Sequence, residues 1–349
     1  MPLPAHIAES FHHQADASMM LGSPFTALVC RLLADRLELE SHFAKRIGDW
    51  KGNPKDDALP LRAAGGLHAL ARSGRCPALS AAYPPHAADP DTVWAAVMAA
   101  IEQEDAFLSA YLDGPPQTNE VARSNALLGG CLFIAGRTGL PLKLFEIGSS
   151  AGLNLAFDRY RYDLGIGRWG AADAPVRIAS RWEGDAPSLT IPLTIAARAG
   201  CDVKPIDPQS PSDRDRLLSY VWPDQVERLA RIEAALALAA QSELRVERAE
   251  AADWLEKRLA VDGATGRTRV VFHSAVWHYL SAATKERLKT AIRNAGAAAT
   301  ADQPIAWLSV EPDRIDGSAA IRATIWPKGT THHLGRSDHH GRWARWQAG

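Results

Sequence analysis

Three observations predict an α/β protein with a largely parallel sheet, preceded by an all-helical N-terminal domain. Up to about residue 140 the apolar residues recur at helical spacing and strand-like stretches are nearly absent. Beyond that point short apolar runs alternate with helical patterns, the grammar of crossover units. The boundary itself carries LKLFEI, an apolar run ending in an acid, followed at once by the small-residue turn GSSAG. At 349 residues the chain is long enough for two structural units, because domains usually hold about 100–200 residues. The expected division is a helical domain over 1–138 and a sheet domain over 139–349, with an insertion around 161–200.

Each element follows from its pattern. Leu28, Leu32, Leu33 and Leu37 share a helical face in 25–43, as do Val93, Trp94, Val97, Ile101 and Leu108 in 91–112. Segments 61–71 and 120–137 read as helices in the same way. In the second part, strands are expected at 142–147, 244–248, 269–273 and 305–310, with helices at 213–240, 252–259 and 284–295. Segments 321–326 and 342–346, joined by a Gly/His-rich stretch, read as a final antiparallel pair, and VRIASRW and LTIPLTIAA as inserted hairpin strands.

Composition narrows the function classes. The net charge of −1 removes the electrostatic footprint of a general nucleic-acid binder and favours a small-molecule substrate. The start, MPLPAHIAESFHH, has neither the basic opening nor the apolar centre of a secretory signal, and no run approaches a membrane span. A cytoplasmic protein with no membrane partner is the expectation. Cys30, Cys76, Cys131 and Cys201 are widely separated with no C-x-x-C pair, so they read as reduced thiols, neither a disulfide framework nor a zinc site.

The stretch 142–155, LKLFEIGSSAGLNL, is the most informative. Glu146, Gly148 and Gly152 form E-x-G-x-x-x-G, whose glycines let a strand turn sharply into what reads as a helix and let a ligand approach bare backbone. Three ligand readings compete with an ordinary strand-turn-helix corner. Gly148 to Gly152 satisfies G-x-S-x-G, which would present Ser150 as a hydrolase nucleophile. That elbow normally follows several strands, whereas here it sits on the first. A dinucleotide fingerprint would need further glycines at Ser150 and Leu153. S-adenosylmethionine has no phosphates to cradle, so it tolerates a Cβ at Ser150 while its amino-acid moiety lies over the turn.

The stretches PPQTNEVARS, FEIGSSAGLNLAFDRYRYDLG, RAGCDVKPIDP, LLSYVWPDQ and VVFHSAVWHYL carry a resemblance that spans most of the chain. The sequence looks like a class I S-adenosylmethionine-dependent methyltransferase preceded by a helical domain, and more closely resembles the bacterial family DUF2332. The superfamily resemblance implies a Rossmann-like sheet of the class I methyltransferase type, S-adenosylmethionine as cofactor, and methyl transfer to a small-molecule acceptor. It places Glu146, Gly148, Ser149, Ser150 and Gly152 in the cofactor motif, with Ser150 standing where the superfamily commonly has glycine. Asn154 reads either as a cofactor contact or as a local helix cap. An acid after the second strand would hold the ribose diol, because a carboxylate accepts two hydrogen bonds. Asp202 is preferred over Asp163 and Asp207, while Glu250 and Ala251 resemble the position that brackets adenine.

Methyl transfer asks the protein to align the acceptor and exclude water, with a base only where the acceptor must lose a proton. His273, ending the VVF strand, is the expected base, since strand C-termini face the ligand crevice in such sheets. Thr118, Asn119, Glu120 and Arg123 form a polar segment that either closes over cofactor or substrate or caps a helix. Asn119→Ala or Glu120→Ala is expected to leave stability nearly intact while weakening ligand binding. His332, His333, Asp338, His339 and His340 read as a solvated or packed turn rather than a metal site, because neighbours on an extended chain point to opposite faces. Two other classes stay open: a non-catalytic S-adenosylmethionine or nucleoside binder, and a serine hydrolase using Ser150.

Overall fold

The computed structural model describes residues 1–242, 244–261, 265–313, 315 and 317–347. The chain forms two compact units, Met1–Thr118 with Pro211–Ala230, and Asn119–Ser210 with Arg231–Gly349. Among the described residues no helix is long and apolar enough to cross a membrane.

The first unit is helical: α1 (Ala5–Met20), α2 (Pro24–Arg36), α3 (His42–Gly48), α4 (Leu59–Ser73), α5 (Pro77–Ala82), α6 (Pro90–Tyr111) and, after the chain returns, α8 (Pro211–Ser219). Its core joins Ile7 and Phe11 of α1, Leu33 of α2, Phe43 and Ile47 of α3, Leu67 of α4 and Ile101 of α6. The single helix expected over 25–43 is split. Ser41 caps a new helix through Ala44 N, and the Asp105 carboxylate takes the free His42 and Phe43 amides at 2.8 and 2.7 Å. The helix expected over 213–240 also divides, into α8 and α9 (Val226–Ala240), at Trp222-Pro223, where proline lacks an amide and pushes its predecessor out of helical geometry. Helix α1 went unforeseen.

The second unit is built on a nine-stranded sheet. Its strands are β1 (Leu142–Ile147), β5 (Arg181–Gly184), β6 (Ile195–Asp202), β7 (Val246–Arg248), β8 (Thr268–Ser274), β9 (Ile305–Pro312), β10 (Ala319–Trp326), β11 (Thr330–Ser337) and β12 (Trp343–Trp346), in the order β5-β12-β11-β10-β9-β8-β1-β6-β7. Strands β7, β6, β1, β8 and β9 pair in parallel. Counted by themselves they run 3-2-1-4-5, so the order reverses between β1 and β8, the place where open α/β sheets leave a crevice. Strand β8 is buried throughout, the continuous burial expected of a central parallel strand.

Helices α10 (Ala251–Val261) and α11 (Ala282–Ala297) cover one face through Trp254, Leu255, Leu288 and Ile292, packed on Phe145, Ile147 and Val271. Helix α7 (Ser124–Thr138) covers the other, and two of its glycines set how closely. A Cβ on Gly129 would stand 2.1 Å from the Trp346 ring, and one on Gly130 would stand 2.4 Å from Leu308.

Three expectations change here. The residues after the turn form a 3-10 helix, Leu153–Arg159, in place of an α-helix, because the Tyr160 and Tyr162 hydroxyls donate to the Leu153 and Phe157 carbonyls. LTIPLTIAA is not a hairpin; its end opens β6, the immediate neighbour of β1, while VRIASRW divides at Ser180 into β4 (Arg177–Ala179) and β5. Strand β4 joins β2 (Arg161–Asp163) and β3 (Arg168–Trp169) in a separate small sheet. Finally, the Gly/His-rich stretch between β10 and β12 is itself β11, inserted between the two strands expected to pair.

Candidate functional site

The turn after β1 has an unusual backbone. Gly148, Ser150 and Gly152 alternate in the left-handed region, at φ +68°, +54° and +73°. The glycines are there for space as well as conformation: a Cβ on Gly148 would lie 2.5 Å from Val276, and one on Gly152 would lie 2.6 Å from Leu244. Ser150 holds the same backbone with a side chain, a strained state that tends to mark a functional turn. Gly200 of β6, unnoticed in the sequence, makes room for Ser149, whose Oγ donates to the Glu146 carbonyl at 3.1 Å.

Asp202 closes this turn from the end of β6. Its Oδ2 accepts from Ser150 N at 2.9 Å and its Oδ1 from Lys204 N at 2.8 Å. Asp163 instead pairs with Arg168 in the small sheet at 3.2 Å, and Asp207 accepts from Gln209 N in the following loop at 2.9 Å. Of the three candidate acids, Asp202 is the one shown to meet the β1 turn by a hydrogen bond.

Glu146, at the end of β1, is 2% exposed and its Oε2 has no hydrogen-bond partner among the described residues. Burial drives its carboxyl well above the ordinary 4.5; a Ser149 hydrogen bond and the Arg123 charge pull against that, and Asp202 adds to it. Burial thus favours the protonated form of Glu146. Ser150 Oγ and Asn154 Oδ1 are likewise buried without a hydrogen-bond partner. Three buried polar atoms, from the end of β1, the turn and the following helix, thus lack a hydrogen-bond partner among the described residues, where native interiors leave few such groups.

The segment 119–123 reaches the same strand ends. Asn119 Oδ1 accepts from Leu153 N at 3.1 Å, and Arg123 Nη1 donates to the Ser274 carbonyl at 2.9 Å. Glu120, also buried, accepts from Ala122 N at 3.0 Å, with Arg231 and His340 at 3.8 and 3.6 Å. Thr118 is exposed and ends the helical unit. Glu250 caps α10 through the Ala252 and Asp253 amides and also takes Thr284 Oγ1; Ala251 is the buried first residue of that helix.

His273 ends β8 with both ring nitrogens engaged. Nδ1 lies 2.7 Å from Glu311 Oε1, and Nε2 lies 3.0 Å from Trp307 Nε1. An indole nitrogen can only donate, so Nε2 holds its lone pair toward Trp307 and the proton sits on Nδ1. Trp277 stacks on the ring at 4.8 Å. Glu311, at the end of β9, was missed in the sequence, although an acid closing an apolar strand is the signal that singled out Glu146.

The histidine-rich stretch is dispersed. His332 meets the Phe133 ring edge, His333 accepts from Arg322, and Asp338 binds Arg342 and the His340 amide. No group of three His, Cys, Asp or Glu side chains converges among the described residues. The four cysteines are buried free thiols.

Fold and site together define an α/β protein whose strained, polar, buried turn lies at the carboxyl end of a central parallel strand. The chain belongs to DUF2332, the family of an uncharacterized protein conserved in bacteria, whose model matches residues 8–346. No curated protein and no solved structure matches it.

Proposed function

We propose that the second unit is a Rossmann-like domain of the class I methyltransferase type, that it binds S-adenosylmethionine at the β1 turn, and that it transfers the methyl group to a small-molecule acceptor. The observation that carries this reading is the meeting of Asp202 with the left-handed Gly148–Ser150–Gly152 turn at the ends of two adjacent parallel strands. The residues present suit the cofactor. The Asp202 carboxylate keeps acceptor capacity for a vicinal diol, Glu146 Oε2 and Asn154 Oδ1 offer acceptors to an ammonium group, and the Arg123 guanidinium supplies positive charge for a carboxylate.

When bound, S-adenosylmethionine supplies an electrophilic methyl group on a sulfonium. The chain's own part is to hold that group in line with the acceptor and to keep water out. His273 can take a proton only after releasing Trp307. That double engagement favours a second reading, a binding protein without turnover. A hydrolase would need an imidazole at Ser150 Oγ, which has no hydrogen-bond partner among the described residues.

Calorimetric titration with S-adenosylmethionine, S-adenosylhomocysteine and NAD tests the proposal. Binding of the first two alone, lost in a folded Gly152→Val variant, supports it. No binding to folded wild-type protein rejects it.

A further inference from the structure

The loop after β8 is organised by one carboxylate from the neighbouring strand. Glu311 Oε1 accepts from His273 Nδ1 at 2.7 Å and from Val276 N at 3.0 Å, while Oε2 accepts from Trp277 N at 3.2 Å. Two successive amides following a residue with positive φ make a small anion-binding concavity, here occupied by the protein's own side chain. That residue is Ala275, at φ +53°, one of the few non-glycine residues in the left-handed region and the counterpart of Ser150 across the crevice-forming pair of strands. Its carbonyl neighbour, Ser274 O, is taken by Arg123 at 2.9 Å. The next side chain, Val276, is the one that a Cβ on Gly148 would strike. The order of contacts therefore runs from Glu311 to the Val276 and Trp277 amides, then through the Val276 side chain to Gly148.

His273 has a defined place in that sequence. Trp307 fixes its Nε2 as an acceptor, so Nδ1 must donate, and the donation is directed at the Glu311 oxygen that also holds Val276. The Trp277 ring lies over the imidazole with planes 18° apart, which closes the unit on its third side. An imidazole held in this way orients a carboxylate, as a supporting residue orients a ligand-binding group elsewhere.

We propose that Glu311 is the positioning residue of the ligand turn: with His273 it fixes the loop after β8, and through Val276 it sets the geometry of Gly148. The functional consequence rests on the reading that the β1 turn binds S-adenosylmethionine; the structural link from Glu311 to Gly148 does not. In this role His273 acts through Glu311 rather than on a substrate.

Glu311→Gln in the full-length chain tests the link. Glutamine keeps the shape but turns one acceptor oxygen into an amino group, which opposes the Trp277 amide. Amide hydrogen exchange followed by mass spectrometry should show faster exchange over 275–280 and 148–153, with the β8 strand as protected as in the wild type. S-adenosylhomocysteine affinity should fall by about tenfold or more, as supporting residues typically dictate. His273→Asn, which retains a donor toward Glu311, should restore neither Trp307 nor full affinity but should cost less than Glu311→Gln.

Unchanged exchange over 148–153 in Glu311→Gln overturns the proposal whether or not any ligand binds. A lower melting temperature with wild-type affinity in the folded protein also overturns it, since that is the result of a residue serving stability alone. If wild-type protein binds no S-adenosylhomocysteine while Glu311→Gln still loosens 148–153, the positioning link stands and the cofactor reading fails.

Discussion

Glu146 and Glu311 end parallel strands of one sheet, on either side of β8, and are both nearly inaccessible at 2% and 7% exposure. Their environments are opposite. Glu311 receives three hydrogen bonds from protein, and although burial works to raise its carboxyl, those donors hold it below the ordinary range. Glu146 has an oxygen with no donor among the described residues, and burial leaves its carboxyl raised. Burying an acid is costly in either case, and the two strands meet the cost differently: three donors around Glu311 favour its charged form, whereas burial shifts Glu146 toward its protonated form. The contrast separates an acid committed to structure from one with capacity left for a ligand.

The largest expected effect comes from removing the satisfied acid. Glu311→Ala strands the His273 Nδ1–H and two amides, and chemical denaturation should show a loss of about 3–5 kcal/mol. Asn119→Ala comes next. The sequence suggested little cost, but the buried Asn119 oxygen is the acceptor for Leu153 N, so a loss of about 1–2 kcal/mol is expected in the same experiment.

Glu146→Gln should behave in the opposite sense to Glu311→Ala. A carboxyl raised in the folded state contributes stability fully present below the unfolded value near 4.5 and lost as pH rises toward the folded value. Glutamine does not titrate, so the stability of the variant relative to wild type should rise as pH rises above 4.5, while the variant binds ligand more weakly. Glu311 tilts the curve the other way: its contribution is present above its unfolded value and lost as pH falls through its folded one. Urea unfolding at several pH values reads both slopes, and parallel slopes for the two variants would abolish the distinction. The smallest change is expected for Ser150→Gly, which relieves a left-handed serine and removes an unpartnered hydroxyl. Stability should move by less than about 1 kcal/mol with affinity retained, where a nucleophile would be lost outright.

The parts of the fold that the sequence revealed are those whose side chains bury in a regular period. Strands β1, β8 and β9 are short apolar runs, and α6, α10 and α11 keep a helical stripe. Strand β6 escaped because Ala196, Ala197, Ala199 and Gly200 carry little strand preference; it is placed by its two neighbours, and Gly200 serves the approach of Ser149. LNLAFDRY looked helical until two tyrosine hydroxyls captured its carbonyls, a contact between residues five to seven apart that periodicity does not encode. Strand β11, with Leu334 its lone large apolar residue, has no strand signature of its own and is held between β10 and β12. In the candidate site, the β1 turn stood out by residue type and order, and Asp202, one of three acids that the superfamily resemblance offered, meets that turn by a hydrogen bond. Glu311 did not stand out, because its importance arises from three donors brought to it by β8 and the loop that follows.

The edge strand β5 carries a consequence for how this chain is made. It pairs with β12, and Arg345 meets Glu183 across a separation of 162 residues. The neighbouring strands β9, β10 and β11 form a sequential meander whose contacts are short-range and quick to close. A ribosome therefore releases β5 long before its partner exists, and that strand must wait through the synthesis of most of the sheet. The edge strand can pair only after Trp343–Trp346 has emerged, and the interval is when exposed backbone of the nascent chain is open to wrong pairing.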